Sequence, residues 1–571
     1  MENERREGAS PPARARQRAD PLDQEARRRL GFDRLTPDQR AAIEPVLEGR
    51  DTLAVLPTGA GKSAVYQLAG SMIPGATIVV SPLIALQEDQ LAGLGELRAG
   101  RGAALNSSLS AKRRLAILDD LVRGDLEFLL LAPEQLDADG VLDRLRAAQP
   151  TLFVVDEAHC ISDWGHDFRP EYLRLGAAAR ALGDPIVLAL TATAGPQVRA
   201  EIVERLGMED PAIVVRDADR PAIELSAETF GDEASRLGRL VEVVAEAAGS
   251  VIVYGATRAG VERIADALRD AGIAALPYHA GQPARLRSET QSAFMADALR
   301  VVVAKSAFGM GVDKPDVRAV VHATAPPSID AYWQEAGRAG RDSRRASAVL
   351  LFRTEDLGLR RFFAAGAVPE TDEVERIVRA LRATGRRGWS RTALASVAGV
   401  TPARLERIVG ALIGLDVARM VGLHRLGPGR STLSDGDAAV AAVQAEERRL
   451  AAERSRVEQV GAYAATAGCR RAFILAAFGQ DYEPPCGACD RCLAAVVPIV
   501  EDPASAAVLE RFPMGARVNH VVWGPGTVER HEPGVLTVRF DAVGHRRLAL
   551  DLLADGGMLV PMPADAPSSV G

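Results

Sequence analysis

Short apolar runs recur twice along this chain at the spacing of strands separated by helices, and that doubled rhythm constrains the fold more than any other feature. Residues 51–217 hold DTLAVLP, ATIVVSP, LEFLLLAP, TLFVVDE and PIVLALTAT, with polar stretches of helical spacing between them. Val-, Ile- and Leu-rich runs that do not alternate with polar residues belong to strands buried on both faces, the condition of a parallel sheet covered by helices. The rhythm restarts near residue 250 with SVIVYGAT, AALPYHAG, LRVVVAKSAF, VRAVVHATAP and ASAVLLF, and ends at about residue 365. Two similar α/β lobes imply a cleft between them.

A chain of 571 residues exceeds what one core can organise. No run approaches a membrane span of about 20 apolar residues. The charged, Pro-containing start MENERREGASPPARARQRAD has no apolar core of a secretory signal, so a cytoplasmic location is expected. The net charge of −7 speaks against a chain that is basic throughout, yet residues 372–430 carry eleven Arg against five Asp or Glu, a basic module in an acidic chain. The only lysines are Lys62, Lys112, Lys305 and Lys314. Four of the five cysteines crowd between Cys469 and Cys492, which suits metal ligation rather than a secreted disulfide framework.

The strand at 51–57 runs into Thr58-Gly59-Ala60-Gly61-Lys62-Ser63 and then into a helix, the context a phosphate-binding loop needs. Small residues let backbone N–H groups approach phosphates, Lys62 reaches the β and γ phosphates of ATP, and Ser63 ligates Mg²⁺. Downstream, VVDEAH sets Asp156 and Glu157 at the C-terminal end of an apolar strand, where open α/β sheets bind ligands. Asp156 would hold Mg²⁺ through water, and Glu157 would orient the attacking water as general base. The second half adds QEAGRAGR, with Arg338 and Arg341 as catalytic guanidiniums and Arg341 as the arginine finger. Each element alone is commonplace: a Gly-rich turn, a solvated acidic pair, an exposed Arg-rich turn. Their combination points to phosphoryl transfer.

At this point the sequence resembles the RecQ helicases of superfamily 2 over roughly residues 30–355. The resemblance rests on SPLIALQEDQ, LAPEQL, LALTATA, YHAG, AFGMGVDKP and AYWQEAGRAGRD, and most specifically on DEAHCISDWGHDFRPEY. Leu56, where the strict phosphate-loop pattern asks for Gly, fits the PTGxGKS form of that superfamily. Resemblance implies two RecA-like lobes, and it implies that Ser162, Trp164, His166, Phe168 and Arg169 sense single-stranded DNA and relay its presence to the ATP site. In a chain only 4% aromatic, Trp164, Phe168, Tyr172 and His166 fall within nine residues, and bases stacked on such side chains contribute ~1–3 kcal/mol each. A packed aromatic core is the plain alternative. Gln39 resembles the family's adenine-reading Gln. The sequence departs from the family at Asp163 (commonly Gln), Lys305 (commonly Thr), Thr36 (often Arg) and Ser343 (usually Gly).

Cys469, Cys486, Cys489 and Cys492 resemble the family's zinc module and supply four thiolates for one structural Zn²⁺. An iron–sulfur cluster also accepts four Cys, and the adjoining CRR and GACD residues favour zinc. The accessory plan differs from the family's, because SRTALASVAGVTPARLERIVGALIGLDVARMVG reads as helix, turn, helix before the cysteines, with HRLGPGR as a wing. GARVNHVVWGPGTVERHEPGVLTVRFD reads as strands with Gly turns. The expected organisation is a disordered tail (1–22), RecA-like lobe 1 with the ATP site (23–217), lobe 2 (218–365), a winged-helix-like domain (366–440), a zinc-binding module (441–500) and a small Tudor/SH3-like β-barrel (508–571). The expected function is ATP-dependent 3′-to-5′ unwinding of DNA in repair and recombination. Single-stranded and tailed duplex DNA are the expected partners, with a protein docked on the barrel, no membrane, and a nucleoid-associated cytoplasmic location. The alternative is a DNA-stimulated ATPase, translocase or recruitment switch that unwinds nothing.

Overall fold

The computed structural model describes residues 20–562 except 58, 83–86, 88–89, 92–99, 107–108, 138–139, 163–168, 306–307, 309–313, 359–367, 422–424, 497–507, 533–534, 543 and 554–557. Thr58, Asp163, Trp164, His166 and Phe168 therefore lie outside the described residues, as do most of the expected tail and part of the expected wing. The chain forms two compact units, 1–492 and 493–571.

Helix α1 (Pro21–Leu30) starts inside the stretch expected to be disordered. Asp20 caps it by accepting from the Leu22 N–H, Pro21 occupies the first turn, and Leu22, Ala26 and Leu30 are buried. An Asp-Pro pair ahead of an apolar stripe is a helix start. Helix α2 (Pro37–Leu47) follows, capped by Thr36, whose hydroxyl accepts from the Gln39 N–H while Gln39 returns a bond to the Thr36 N–H. Lobe 1 is a seven-stranded parallel sheet in the order β3-β4-β2-β5-β6-β1-β7, with β1 (Thr52–Val55), β2 (Thr77–Val80), β3 (Gly102–Leu105), β4 (Phe128–Leu131), β5 (Leu152–Val155), β6 (Ile186–Thr191) and β7 (Ala212–Val215). Successive residues of β1 enter opposite cores, Leu53 and Val55 on one face and Ala54 on the other, so both faces are covered. Helix α3 (Lys62–Met72) follows β1, and α4 (Pro196–Leu206) follows β6.

Lobe 2 repeats the plan with six parallel strands ordered β10-β11-β9-β12-β13-β8: β8 (Ile223–Thr229), β9 (Ser250–Tyr254), β10 (Ala275–Tyr278), β11 (Val301–Ala304), β12 (Val317–His322) and β13 (Ala346–Phe352). Its helix α5 (Ile329–Ala336) ends just before Gly337 and Arg338. Then come α6 (Thr371–Ala383), α7 (Arg391–Ala398) and α8 (Pro402–Gly414), with a three-stranded antiparallel sheet of β14 (Trp389–Ser390), β15 (Ala418–Val421) and β16 (Arg425–Pro428), ordered β14-β16-β15. Thr401 and Pro402 are N-cap and first turn of α8, as their sequence predicts.

Helix α9 (Asp435–Ala465) runs 31 residues without a break. Its Ala438, Ala439 and Ala442 pack with α6–α8, whereas its Val457, Val460, Tyr463 and Ala464 pack on lobe 2. The expected boundary at residue 440 thus falls inside one helix shared by two cores. Helix α10 (Arg470–Ala477) follows, with Cys469 as its extended N-cap.

The smaller unit holds an antiparallel sheet ordered β20-β19-β18-β17-β21, from β17 (Arg517–His520), β18 (Gly524–Glu532), β19 (Val535–Phe540), β20 (Gly544–Ala549) and β21 (Leu559–Pro561). It packs on its own core of Val508, Phe512, Val518, Leu536, Val538 and Phe540. Among the described residues β20 and β21 stand at opposite edges, so the expected closed barrel is described only as a sheet. No described helix is long and apolar enough to cross a membrane.

Candidate active site

Three adjacent strands of lobe 1, β5, β6 and β1, deliver the nucleotide-site residues at their C-terminal ends. After β1, Leu56 is fully buried, so the residue that departs from the strict phosphate-loop pattern belongs to the core and not to the loop. Gly59 and Gly61 take φ of 84° and 75°, a left-handed conformation costly for other residues. Gly61 is the N-cap of α3, so the helix N-terminus with its partial positive charge begins at Lys62 and Ser63. The Lys62 ammonium donates to Leu56 O at 3.2 Å, folded back over the loop. Gln39 donates to Ala60 O at 3.1 Å and Gly61 O at 3.4 Å. A Cβ on Gly61 would displace this amide nitrogen.

Asp156 follows β5 and is 5% exposed. Burial first, and then the charge of Glu157, push its carboxyl up to about 6, against the pull of Lys62 and of bonds from Gln90 Nε2 and the Glu157 N–H. Those bonds measure 3.3 and 3.0 Å. Glu157 sits at φ 48°, ψ 46°, a left-handed conformation that a non-glycine residue holds at a cost. Its buried Oε2 has no hydrogen-bond partner among the described residues, which leaves an acceptor for water. His159 Nδ1 lies 3.4 Å from Glu157 Oε2 and 2.9 Å from Thr191 Oγ1. Thr191 Oγ1 in turn donates to Thr193 O at 3.1 Å. His159 thus stands between Glu157 and the end of β6.

Lobe 2 closes the site from the other side. A cavity of about 560 Å³ is lined by Gly59 and Ala60 of the phosphate loop, by Arg216, Asp219 and Arg220 of the segment between the lobes, and by Gly340 and Arg341. A Cβ at Gly59 would meet Arg341 Cδ and Nε at 3.7 Å, so this guanidinium arm lies over the phosphate loop. Arg338 is not among the cavity's lining residues; it is 5% exposed and acts on the Tyr254 hydroxyl inside lobe 2. The sequence reading missed Arg216 and Arg220. Their signal was an arginine pair in RDADRP, immediately after an apolar strand and ahead of the second lobe.

Of the residues expected to sense DNA, Ser162 and Arg169 flank the stretch 163–168. Ser162 is fully buried, and Arg169 donates to Pro82 O at 3.2 Å. Tyr172, counted with the aromatic cluster, is fully buried and donates its hydroxyl to Asp156 O at 3.1 Å. It is therefore a core residue that ties the end of the aromatic-rich segment to the acid pair. Cys160 is likewise buried in the lobe 1 core.

The four predicted cysteines converge, with all Sγ atoms within 4.8 Å of one another. Zn–S bonds of about 2.3 Å in a tetrahedron put sulfurs ~3.8 Å apart. Cys486 and Cys492 are 3.8 Å apart. The N–H groups of Ala488 and Cys492 donate to Cys486 and Cys489 sulfurs at 3.4 Å, as thiolates require. The donor set fits a closed structural zinc site.

Comparison with known proteins bears on these geometries directly. Residues 36–202 match the DEAD/DEAH box helicase family, 234–343 the helicase conserved C-terminal domain, and 430–493 the RecQ zinc-binding family. The chain is 34% identical over 469 residues to the probable ATP-dependent DNA helicase RecS of Bacillus subtilis, covering 81% of this chain and 90% of that one. It belongs to the RecQ family. As a member of that family it is an ATP-hydrolysing DNA helicase, and its cysteine cluster falls in the matched zinc-binding region. The ATP-dependent DNA helicase RecQ of Haemophilus influenzae is 38% identical over 329 residues, 57% of this chain and 52% of that one. This RecQ-family chain thus spans about half the length of that relative. The DUF1998 helicase MrfA, solved bound to DNA, shares the fold with a TM-score of 0.50 at 18% identity, over 73% of this chain and 60% of that one.

Proposed function

We propose that this chain couples ATP hydrolysis in the interlobe cleft to 3′-to-5′ movement along single-stranded DNA, unwinding tailed duplexes during repair and recombination in the cytoplasm, at the nucleoid. The observation that carries the reading is Arg341 of lobe 2 lying over Gly59 of lobe 1, because a guanidinium contributed across the cleft makes hydrolysis depend on lobe closure. Lys62 and the N–H groups of the loop would bind the phosphates of ATP, and Gln39 the adenine. Ser63 and Asp156 would hold Mg²⁺, which supplies charge neutralisation at the phosphates. Glu157, with its open acceptor, would hold the attacking water and take its proton; Arg341 would stabilise the transferring phosphoryl group, with Arg338 supporting it from inside lobe 2. Ser162, Trp164, His166, Phe168 and Arg169 would report bound DNA to Asp156 through Tyr172.

The helices and three-stranded sheet of 366–440 we read as a winged-helix-like domain, and 508–571 as a Tudor/SH3-like barrel for a protein partner. One observation favours the second reading, a DNA-stimulated translocase or recruitment switch. A Cβ on Gly414 of α8 would displace the Leu173 Cδ1 methyl of lobe 1, so the second helix of the winged-helix-like domain is seated on the motor. ATP-dependent unwinding of matched 3′-tailed and 5′-tailed duplexes, with Lys62→Ala as control, decides between them. Unwinding confined to the 3′-tailed substrate supports the helicase reading; DNA-stimulated hydrolysis with no strand separation supports the translocase.

A further inference from the structure

The segment joining the lobes carries two arginines and one acid into the nucleotide cavity, and the arm that bears the zinc cysteines holds this segment from behind. Gln480 accepts from the Ala218 N–H at 2.9 Å and donates to Arg216 O at 3.2 Å. Trp333 Nε1 donates to Ala218 O at 2.9 Å, and Arg471 Nη2 to Ile223 O at 2.7 Å. Arg471 Nη1 also donates to the Asp219 carboxylate in an ion pair. Arg471 stands two residues after Cys469, is 2% exposed, and also lies against the Cys486 sulfur.

Asp219 is the one acid among the described residues that line the cavity; the cations lining it are Arg216, Arg220 and Arg341. Those cations crowd one another. Burial first, and then the charges of Arg341 and Arg216, hold the Arg220 guanidinium below its usual value. A carboxylate released at this position would pair with them, in competition with a triphosphate that needs the same charge-assisted bonds.

We infer that Arg471 is a positioning residue for hydrolysis: by pairing with Asp219 from the zinc-bearing arm, it keeps that carboxylate from competing with the triphosphate for Arg220 and Arg341. The inference rests on the nucleotide reading of the cleft given above. Stability alone is a poor reason for such a pair. Replacing both members of a buried ion pair is often neutral, whereas removing one strands the other charge.

That asymmetry supplies the test, made in the full chain on Arg471→Gln, Asp219→Asn and the double variant. The readouts are kcat and KM for DNA-stimulated ATP hydrolysis, fluorescent ADP affinity, and zinc bound per chain. Arg471→Gln is expected to lower kcat roughly tenfold with zinc retained, and the double variant, which removes the released charge, to return to within about threefold of native. A double variant as slow as Arg471→Gln overturns the inference. Should Arg471→Gln lose zinc, Asp219→Asn decides by itself: ADP bound as tightly as in the native chain, or more tightly, supports an acid that is held off the site, and weakened binding overturns it. Lys62→Ala keeps the two levels apart. Normal hydrolysis in Lys62→Ala sinks the nucleotide reading, whereas hydrolysis lost there but untouched in Arg471→Gln sinks only this inference.

Discussion

Arg341 reaches the phosphate loop from the opposite lobe, with its side chain 3.7 Å from where a Cβ would stand on Gly59, and Lys62 begins the helix behind that loop. The two cations therefore make separable predictions. Lys62→Ala is expected to abolish hydrolysis. Arg341→Ala is expected to lower kcat by ~10³-fold or more while fluorescent ADP affinity changes little, since a finger acts on transition-state charge. Equal losses in kcat and ADP affinity would instead make Arg341 a ground-state ligand. That Lys62, Asp156 and Glu157 meet at one place, and the four cysteines at another, was legible in the sequence from their types and neighbours. Gln39 was legible only by resemblance, because its bonds to Ala60 and Gly61 cross from one helix to a distant loop. Tyr172 was grouped with the base-stacking aromatics because its burial against Asp156 depends on a fold that spacing alone does not contain.

At the scale of elements, two segments carry predictions of opposite kind. Trp164 lies in the stretch between Ser162 and Arg169, whose exit is bonded to the acid pair through Tyr172. Trp164→Ala is expected to spare basal hydrolysis and to weaken its stimulation by single-stranded DNA, read from ATPase rates with and without oligonucleotide; unchanged stimulation would remove this segment from the coupling path. Cys489 is buried, and its backbone pairs beside Leu225 of β8, so the zinc cluster is also an extension of lobe 2's sheet edge. Cys489→Ser is expected to lose the metal and, with it, thermal stability and soluble yield, because structural zinc contributes ~10–16 kcal/mol in small domains. Metal analysis with thermal melting checks this, and a stable metal-free variant would refute the structural role. The buried central strands were legible as apolar runs. Edge strands β3 and β7 were not: GAAL is small and partly exposed, and AIVV has no face fully buried, so neither produces the signal of a strand covered on both faces.

For the whole molecule, the question is which parts form the motor. Helix α9 belongs to two cores at once, and residues 471–480 hold the segment between the lobes, so no boundary near 440 separates motor from accessory. Sequence reading placed a seam there because the hydrophobic pattern changes, and pattern change marks a new packing partner as readily as a linker. The second compact unit differs in kind, since its Phe512, Val518, Val538 and Phe540 belong to a core of its own. A segment with its own core folds by its own burial and can be removed without exposing the core it leaves. A chain ending at Val496 keeps all four zinc cysteines. It is therefore expected to retain bound zinc and DNA-stimulated ATP hydrolysis within about twofold of the full chain. Loss of either in the shortened chain, measured by metal content and ATPase rate, would make the C-terminal sheet part of the motor, whereas retention places the sheet outside it.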